Sequence, residues 1–298
     1  MSRMTELLQT SCSAARAAPV LISIFVFCSV PKTDTMVADR PNFVFVLIDD
    51  LGWRDIGCYG SSFYETPNID RLASQGMRFT NAYAAAPVCS PSRASIMTGK
   101  HPARLHLTNF LVGQQWPEKS RLWPVKWTRE LPSEEVSIAA TLRNAGYVTG
   151  FIGKWHLGTA PLESFGFSTN IGGSERGWPL PYFDDHGRYL TDTHSSDAEK
   201  FMVANRNRPF FLYLSHYAVH VPLEAKKDLI AKYERKAAGL PAGGIPEFGK
   251  EHERELRQVQ KHPVFAAMIE GVDESVGRVM RTEGSSHRST DHHNLLLR

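Results

Sequence analysis

Three apolar runs, each ending in residues that carry chemistry, constrain this chain most. Residues 43–48 (FVFVLI) form a continuous stretch rich in β-branched and aromatic side chains that stops at Asp49-Asp50. A run without polar alternation suits a strand buried on both faces, as in a parallel sheet covered by helices. Residues 147–152 make a second strand candidate, followed at once by Lys154 and His156. Residues 209–214 make a third, followed by His216 and His220. Open α/β sheets bind ligands beyond the carboxyl ends of their strands. Three strand ends that deliver carboxylates, a lysine and histidines to one edge are the arrangement an active site needs.

Helical signals alternate with these runs. Thr66-Pro67 reads as an N-cap followed by proline at the first helical position, in a helix running to Gly76. Residues 137–144 place Ile138, Leu142 and Ala145 at helical spacing, with Gly146 as the stop. Residues 264–280 carry an apolar stripe at 264, 265, 268, 269, 272, 276 and 279. These three are expected to be packing elements. The alternation predicts an α/β fold with a mostly parallel central sheet flanked by helices. Residues 161–189 and 240–250, rich in Gly and Pro, are expected to be long loops. They suit the shaping of a pocket or a plain surface excursion.

Length allows one large domain, or one and a half. A chain 42% hydrophobic and 22% charged is ordinary globular material, and a net charge of +3 with interspersed signs does not suggest a nucleic-acid binder. Lys226-Lys227 and residues 251–257 are expected to be solvated faces. Arg3 and Arg16 precede the apolar run 18–30, which suits a signal peptide over about residues 1–38. An uncleaved anchor is the alternative, although the run is short for a membrane span. The expected location is therefore secreted, periplasmic or otherwise extracytoplasmic, with no stable span. Cys12 and Cys28 would leave with the signal; Cys58 is expected to be structural and not disulfide-bonded to Cys89.

Cys89-Ser90-Pro91-Ser92-Arg93 follows a small-residue loop and opens a helix closed by Gly99. A helix N-terminus suits an anion. Arg93, one turn in, adds a permanently charged fork that matches sulfate or phosphate oxygens. A thiolate at 89 is expected to be activated by these surroundings. The same residues also fit a buried cysteine beside a structural arginine. Asp49 and Asp50, at a strand end, can turn toward one ion, and their hard oxygens favour Ca²⁺ or Mg²⁺ over zinc; an Asp-Asp turn is the plain alternative. His156 and His220 equally suit hydrogen-bonded structural roles. His216, four residues before His220, invites a metal reading but is expected to be structural.

Taken together, residues 41–52, 66–73, 89–99, 153–158 and 220–222 resemble, in order, the segments of the type I sulfatases of the alkaline phosphatase superfamily. The resemblance covers about residues 41–280. It implies that Cys89 is oxidised to formylglycine by a formylglycine-generating system. The hydrated aldehyde would attack sulfur, form a covalent sulfate hemiester and release sulfate by elimination. It further implies that Asp49, Asp50 and residue 89 bind Ca²⁺, with Mg²⁺ second. Arg93 would orient the hydrate, Lys154 contact the sulfate, His156 assist elimination and His220 donate to the leaving group. The implied substrate is a sulfate ester, an aryl sulfate or a sulfated glycan. A phosphoric or phosphonic ester hydrolase of the same superfamily is the second reading.

The resemblance breaks near the end. The family completes its metal site with an Asp-Asn pair and a second Lys, and this chain has no Asp-Asn dipeptide. Residues 39–280 then read as an incomplete N-terminal catalytic domain. Residues 281–298 read as an aberrant or disordered tail without a strand pattern, leaving the central sheet with an unpaired edge. Nothing in the sequence positions Asp291 or Asn294 as substitute ligands. An inactive truncated fragment is the third reading.

Overall fold

The computed structural model describes residues 40–111, 121–122, 125–173, 181–241, 243–285 and 294–297. The expected signal segment, 1–38, lies outside them. In chain order the elements are β1 (Phe43–Ile48), α1 (Pro67–Gln75), α2 (Cys89–Thr98), α3 (Ile138–Asn144), β2 (Val148–Gly153), β3 (Thr169–Ile171), α4 (Leu190–Asn205), β4 (Phe210–His216), α5 (Lys227–Ala238), β5 (Phe248–Glu251), β6 (Arg254–Arg257), α6 (Pro263–Ser285) and β7 (Asn294–Leu297). Short 3₁₀ turns cover Trp53–Asp55, Gly57–Tyr59 and Leu162–Phe165. Five strands make one parallel sheet in the order β3-β2-β4-β1-β7. Among the described residues, no helix is long and apolar enough to cross a membrane.

The sheet is covered on both faces, which is why its central strands are unbroken apolar runs. Val44, Val46 and Ile48 of β1 join Leu212 and Leu214 of β4 in a core closed by Ile69 of α1, Phe201 of α4, Tyr233 of α5 and Val272 and Val276 of α6. Leu47 and the half-buried Phe43 and Phe45 turn to the other face. There they meet Phe151 of β2, Tyr213 of β4, Met97 of α2, Ala139 of α3 and the buried Trp155. Period-two side-chain alternation thus splits one strand between two cores. Because β1, β2 and β4 are parallel, their carboxyl ends all emerge at one edge.

α1 and α3 follow the expected bounds, while α6 runs on beyond residue 280, and one capping partner changes. Thr66 occupies the N-cap position of α1 without capping it. Its hydroxyl instead accepts from the Gly57 amide at 2.8 Å and donates to Asp70 at 3.0 Å. The free amides of Asn68 and Ile69 donate to Asp273 Oδ1 of α6, at 3.0 and 2.8 Å. A buried carboxylate from a neighbouring helix thus satisfies the orphan donors of this N-terminus.

Three expectations need correction. The segment 240–257 is not loop and charged face alone, because β5 and β6 pair there as an antiparallel hairpin. The long loop at 161–189 contains β3, paired with β2. The tail does carry a strand: α6 continues to Ser285, and Asn294–Leu297 pairs parallel with β1, so the β1 edge is not open. Leu295-Leu296-Leu297 is a short apolar run in otherwise polar sequence, and an edge strand needs only its backbone to extend a ladder. Asn294 lies opposite Phe43, six residues along β1 from Asp49, or about 20 Å at ~3.3 Å per residue. It stands at the wrong end of the sheet to serve as a metal ligand.

Behind the strand ends lies a buried histidine pair. His216 ends β4 and His194 lies on α4, with ring centroids 5.9 Å apart. His216 Nε2 lies 3.0 Å from Ser275 Oγ of α6, and neither Nδ1 has a partner among the described residues. Burial pushes His194 down to about 4, with Asp197 opposing, and pushes His216 down to about 3, with His194 adding to the effect. Both are neutral in the fold and protonate near their ordinary value of 6.5 when unfolded. The unfolded chain therefore takes up more protons below that pH. The stability these residues hold is complete above pH 6.5 and is lost as pH falls. Between pH 7 and 5 each should cost about 2 kcal/mol. Urea unfolding at both pH values should show His216→Gln losing that much of the parent's pH dependence. An unchanged dependence would contradict the assignment.

Candidate active site at the strand ends

Four elements converge at the carboxyl edge. At the end of β1, Asp49 is buried, and Asp50 adopts a left-handed backbone (φ 59°) that turns it outward. Aspartate tolerates that conformation better than most residues. The Asp49 backbone bonds both ways with the loop after β4, donating to the Ala218 carbonyl at 3.1 Å and accepting from the Val219 amide at 2.8 Å. At the end of β2, Gly153 has φ 103°, and a Cβ there would stand 1.9 Å from the Ser215 carbonyl oxygen. Only glycine lets the chain pass so close. The Lys154 amide then donates to that same carbonyl at 2.8 Å, and the Lys154 side chain is wholly buried.

Helix α2 supplies the third component. Cys89 is its first residue and Arg93 lies one turn on, 3% exposed. One guanidinium nitrogen donates to Asp49 Oδ1 at 3.1 Å. The other donates to the Lys154 carbonyl at 2.7 Å and to Ser215 Oγ at 2.6 Å. Lys154 Nζ donates to Asp49 Oδ2, so one carboxylate holds two buried cations. Burial alone would raise Asp49, but Arg93 and Lys154 outweigh it and hold the carboxyl below its ordinary value. Burial, with Arg93 beside it, draws Lys154 downward against the pull of Asp49.

Cys89 departs from expectation. Burial pushes its thiol up, and Asp49 adds to this, against the opposing pull of Lys154 and Arg93. The thiol is not activated: the two cations that would favour a thiolate are already engaged by Asp49. Unmodified, residue 89 is a protonated thiol and a poor nucleophile. Both Cys58 and Cys89 are free thiols.

The histidines complete the edge. His156 is 2% exposed, and its Nε2 lies 3.2 Å from the Leu111 carbonyl. Burial, then Lys154, bring it down to about 4, so it is neutral near pH 7. His220 Nδ1 lies 2.5 Å from the Val221 carbonyl, and its Nε2 is 3.8 Å from Asp50 Oδ2. Asp49, Asp50 and His220 offer ligand atoms all within 4.8 Å of one another. The converging group thus contains His220, which the sequence reading assigned to the leaving group. Cys89, which that reading placed among the ligands, is not in the group, although the Asp49 charge acts on its thiol. Two carboxylates and an imidazole fit a divalent cation. Asp49 and Asp50 formally balance Arg93 and Lys154, so a bound dication would leave a positive site suited to an oxyanion. His216 stays in the core. The sequence reading missed Ser215 and the Leu111 carbonyl.

A family model described as Sulfatase matches residues 41–285. Human N-acetylgalactosamine-6-sulfatase is 33% identical over 229 residues, which cover 67% of this chain and 43% of that protein. Human arylsulfatase G is 41% identical over 167 residues, covering 56% of this chain and 28% of that protein. The chain therefore spans less than half the length of these curated relatives. Among solved structures, Ps i-CgsB in complex with k-i-k-neocarrahexaose superposes with a TM-score of 0.64 at 28% identity, over 87% of this chain and 57% of that one. A family match over residues 41–285, with curated relatives named as sulfatases, makes this chain a member of the sulfatase family.

Proposed function

We propose that the protein hydrolyses sulfate esters at this edge, with Cys89 converted to formylglycine and Asp49 and Asp50 holding a divalent cation, Ca²⁺ first. The observation that carries the reading is the pair of buried cations, Arg93 and Lys154, gathered on Asp49 beside the first residue of α2. Buried cationic groups aimed at one point are costly to build and are of use where an anion binds. When present, the cation would act as Lewis acid and template, and the hydrated aldehyde would supply a nucleophile that a protonated thiol cannot. Arg93 and Lys154 neutralise the bound sulfate. Neutral His156 accepts a proton beside residue 89. His220, half-buried at the rim, meets the leaving-group oxygen. Relatives named for a sulfated sugar and for aryl sulfates, and a neighbour holding an oligosaccharide, support a sulfated glycan or aryl sulfate as substrate. An extracytoplasmic location rests on the N-terminal sequence.

The protein should be expressed with a formylglycine-generating system and the peptide containing residue 89 weighed. Conversion should lower its mass by the thiol-to-aldehyde difference. The modified protein should turn over an aryl sulfate in preference to an aryl phosphate, and lose that turnover to a chelator. Preference for the phosphate would replace the reading with a phosphoric ester hydrolase. Asp50→Ala should weaken Ca²⁺ binding at least about tenfold by calorimetry, since one of few charged ligands is lost. It should lower stability by only about 1 kcal/mol, the cost of alanine in that left-handed backbone, because the side chain itself is exposed. Unchanged affinity would remove Asp50 from the metal site.

A further inference from the structure

Ser90 is left without a role by the chemistry above, yet it is fully buried in the second position of α2. Its Oγ accepts a hydrogen bond from the Leu111 amide at 2.9 Å. The Leu111 carbonyl, on the other side of the same residue, faces His156 Nε2 at 3.2 Å. A carbonyl oxygen can only accept, so the proton in that contact belongs to the imidazole. A neutral imidazole carries one N–H, and Nε2 holds it; Nδ1 is then a bare lone pair. Nδ1 is buried and has no partner among the described residues.

We infer that Ser90 is a positioning residue: through the Leu111 backbone it locks His156 in the Nε2–H tautomer, keeping Nδ1 free as a proton acceptor at the site. The inference deepens the reading of His156 as a base and rests on it for its purpose, though not for its test. The logic is that of any imidazole whose far nitrogen is fixed by a second group. The Leu111 loop must stand still for its carbonyl to hold the ring. The Ser90 hydroxyl ties that loop to the helix that carries residue 89. One helix turn thereby sets both the position of residue 89 and the protonation pattern of the histidine.

The test is nitrogen NMR of histidine-labelled protein at pH 7.5, with the His156 signals assigned by loss in His156→Gln. In the parent, Nε2 should show the protonated, pyrrole-type shift and Nδ1 the bare, pyridine-type shift. Ser90→Ala should erase this single pattern and move both signals toward the average of two tautomers. Ser90→Thr, which keeps the hydroxyl, should restore it. The signals of His194 and His216 serve as the fold control and should not move. Should Ser90→Ala not fold, Ser90→Cys keeps the shape with a weaker acceptor and should show the same loss in part. An Nδ1–H pattern in the parent overturns the inference. So does a parent-like His156 pattern in a folded Ser90→Ala or Ser90→Cys protein. No readout depends on turnover, so a failed sulfatase assay and a failed tautomer lock are separate results.

Discussion

Cys89→Ala is expected to abolish sulfate ester hydrolysis while leaving the fold intact. Removing the group that forms the covalent bond in a nucleophilic mechanism costs on the order of 10⁴-fold or more in kcat. The alanine side chain is the cysteine side chain without sulfur, and residue 89 is only half-buried at the first turn of α2. Stability should therefore change by about 1 kcal/mol or less. Arg93, Lys154 and Asp49 bond to one another and not to residue 89, so their arrangement should survive. Sulfate should still bind to the variant, weakly, as a competitor in calorimetry. Turnover within tenfold of the parent would show that another group attacks sulfur. Cys89→Ser is the informative companion. It keeps a hydroxyl and, expressed with a generating system that converts cysteine only and checked by peptide mass to be unconverted, it should be nearly as inactive if the aldehyde hydrate is the nucleophile.

How far the sequence foretold this site depends on which atoms do the work. β1, β2 and β4 were legible because both of their faces are buried, which leaves a continuous apolar run and a sharp end. Asp49, Lys154 and His220 follow from those ends, and Cys89 and Arg93 from the helix signal after a small-residue loop. β3 was not legible: three residues, Thr169–Ile171, with their middle one exposed, give no run. The hairpin at Phe248–Arg257 was hidden because its residues are mostly charged and exposed, and its pairing is a backbone matter. β7 was hidden because three leucines in otherwise polar sequence are too short a run to announce a strand. Leu111 acts through its carbonyl, which no side-chain pattern announces. Asp273 did leave a trace, as a carboxylate beside Val272 on the apolar stripe of α6. A buried acid there must meet donors, and it meets the free amides of α1. The direction of the Cys89 shift was missed because a helix N-terminus and Arg93 were counted in its favour. Asp49, which takes both cations, and the burial of the thiol were left out.

The residue on which stability and function most directly collide is Asp49. Asp49→Ala should destabilise the fold by about 3–5 kcal/mol, because it leaves Lys154 and Arg93 buried with no counter-charge. Asp50→Ala provides the contrast, since its side chain is 58% exposed and is needed by neither cation. Urea unfolding of the two variants in a chelator, with no metal present, isolates the ion-pair contribution from any ligand effect. Asp49→Asn should fall between them, keeping an acceptor for Arg93 but no charge for Lys154. Adding Lys154→Met to Asp49→Ala should recover part of the loss, because one of the two stranded charges is then gone. That recovery is the sharper test: deleting a second buried polar residue stabilises only if its charge was uncompensated. If Asp49→Ala is as stable as Asp50→Ala, water reaches Lys154 and Arg93. The edge would then be an open polar surface, without the dry, preorganised field that binding and activating a sulfate ester requires.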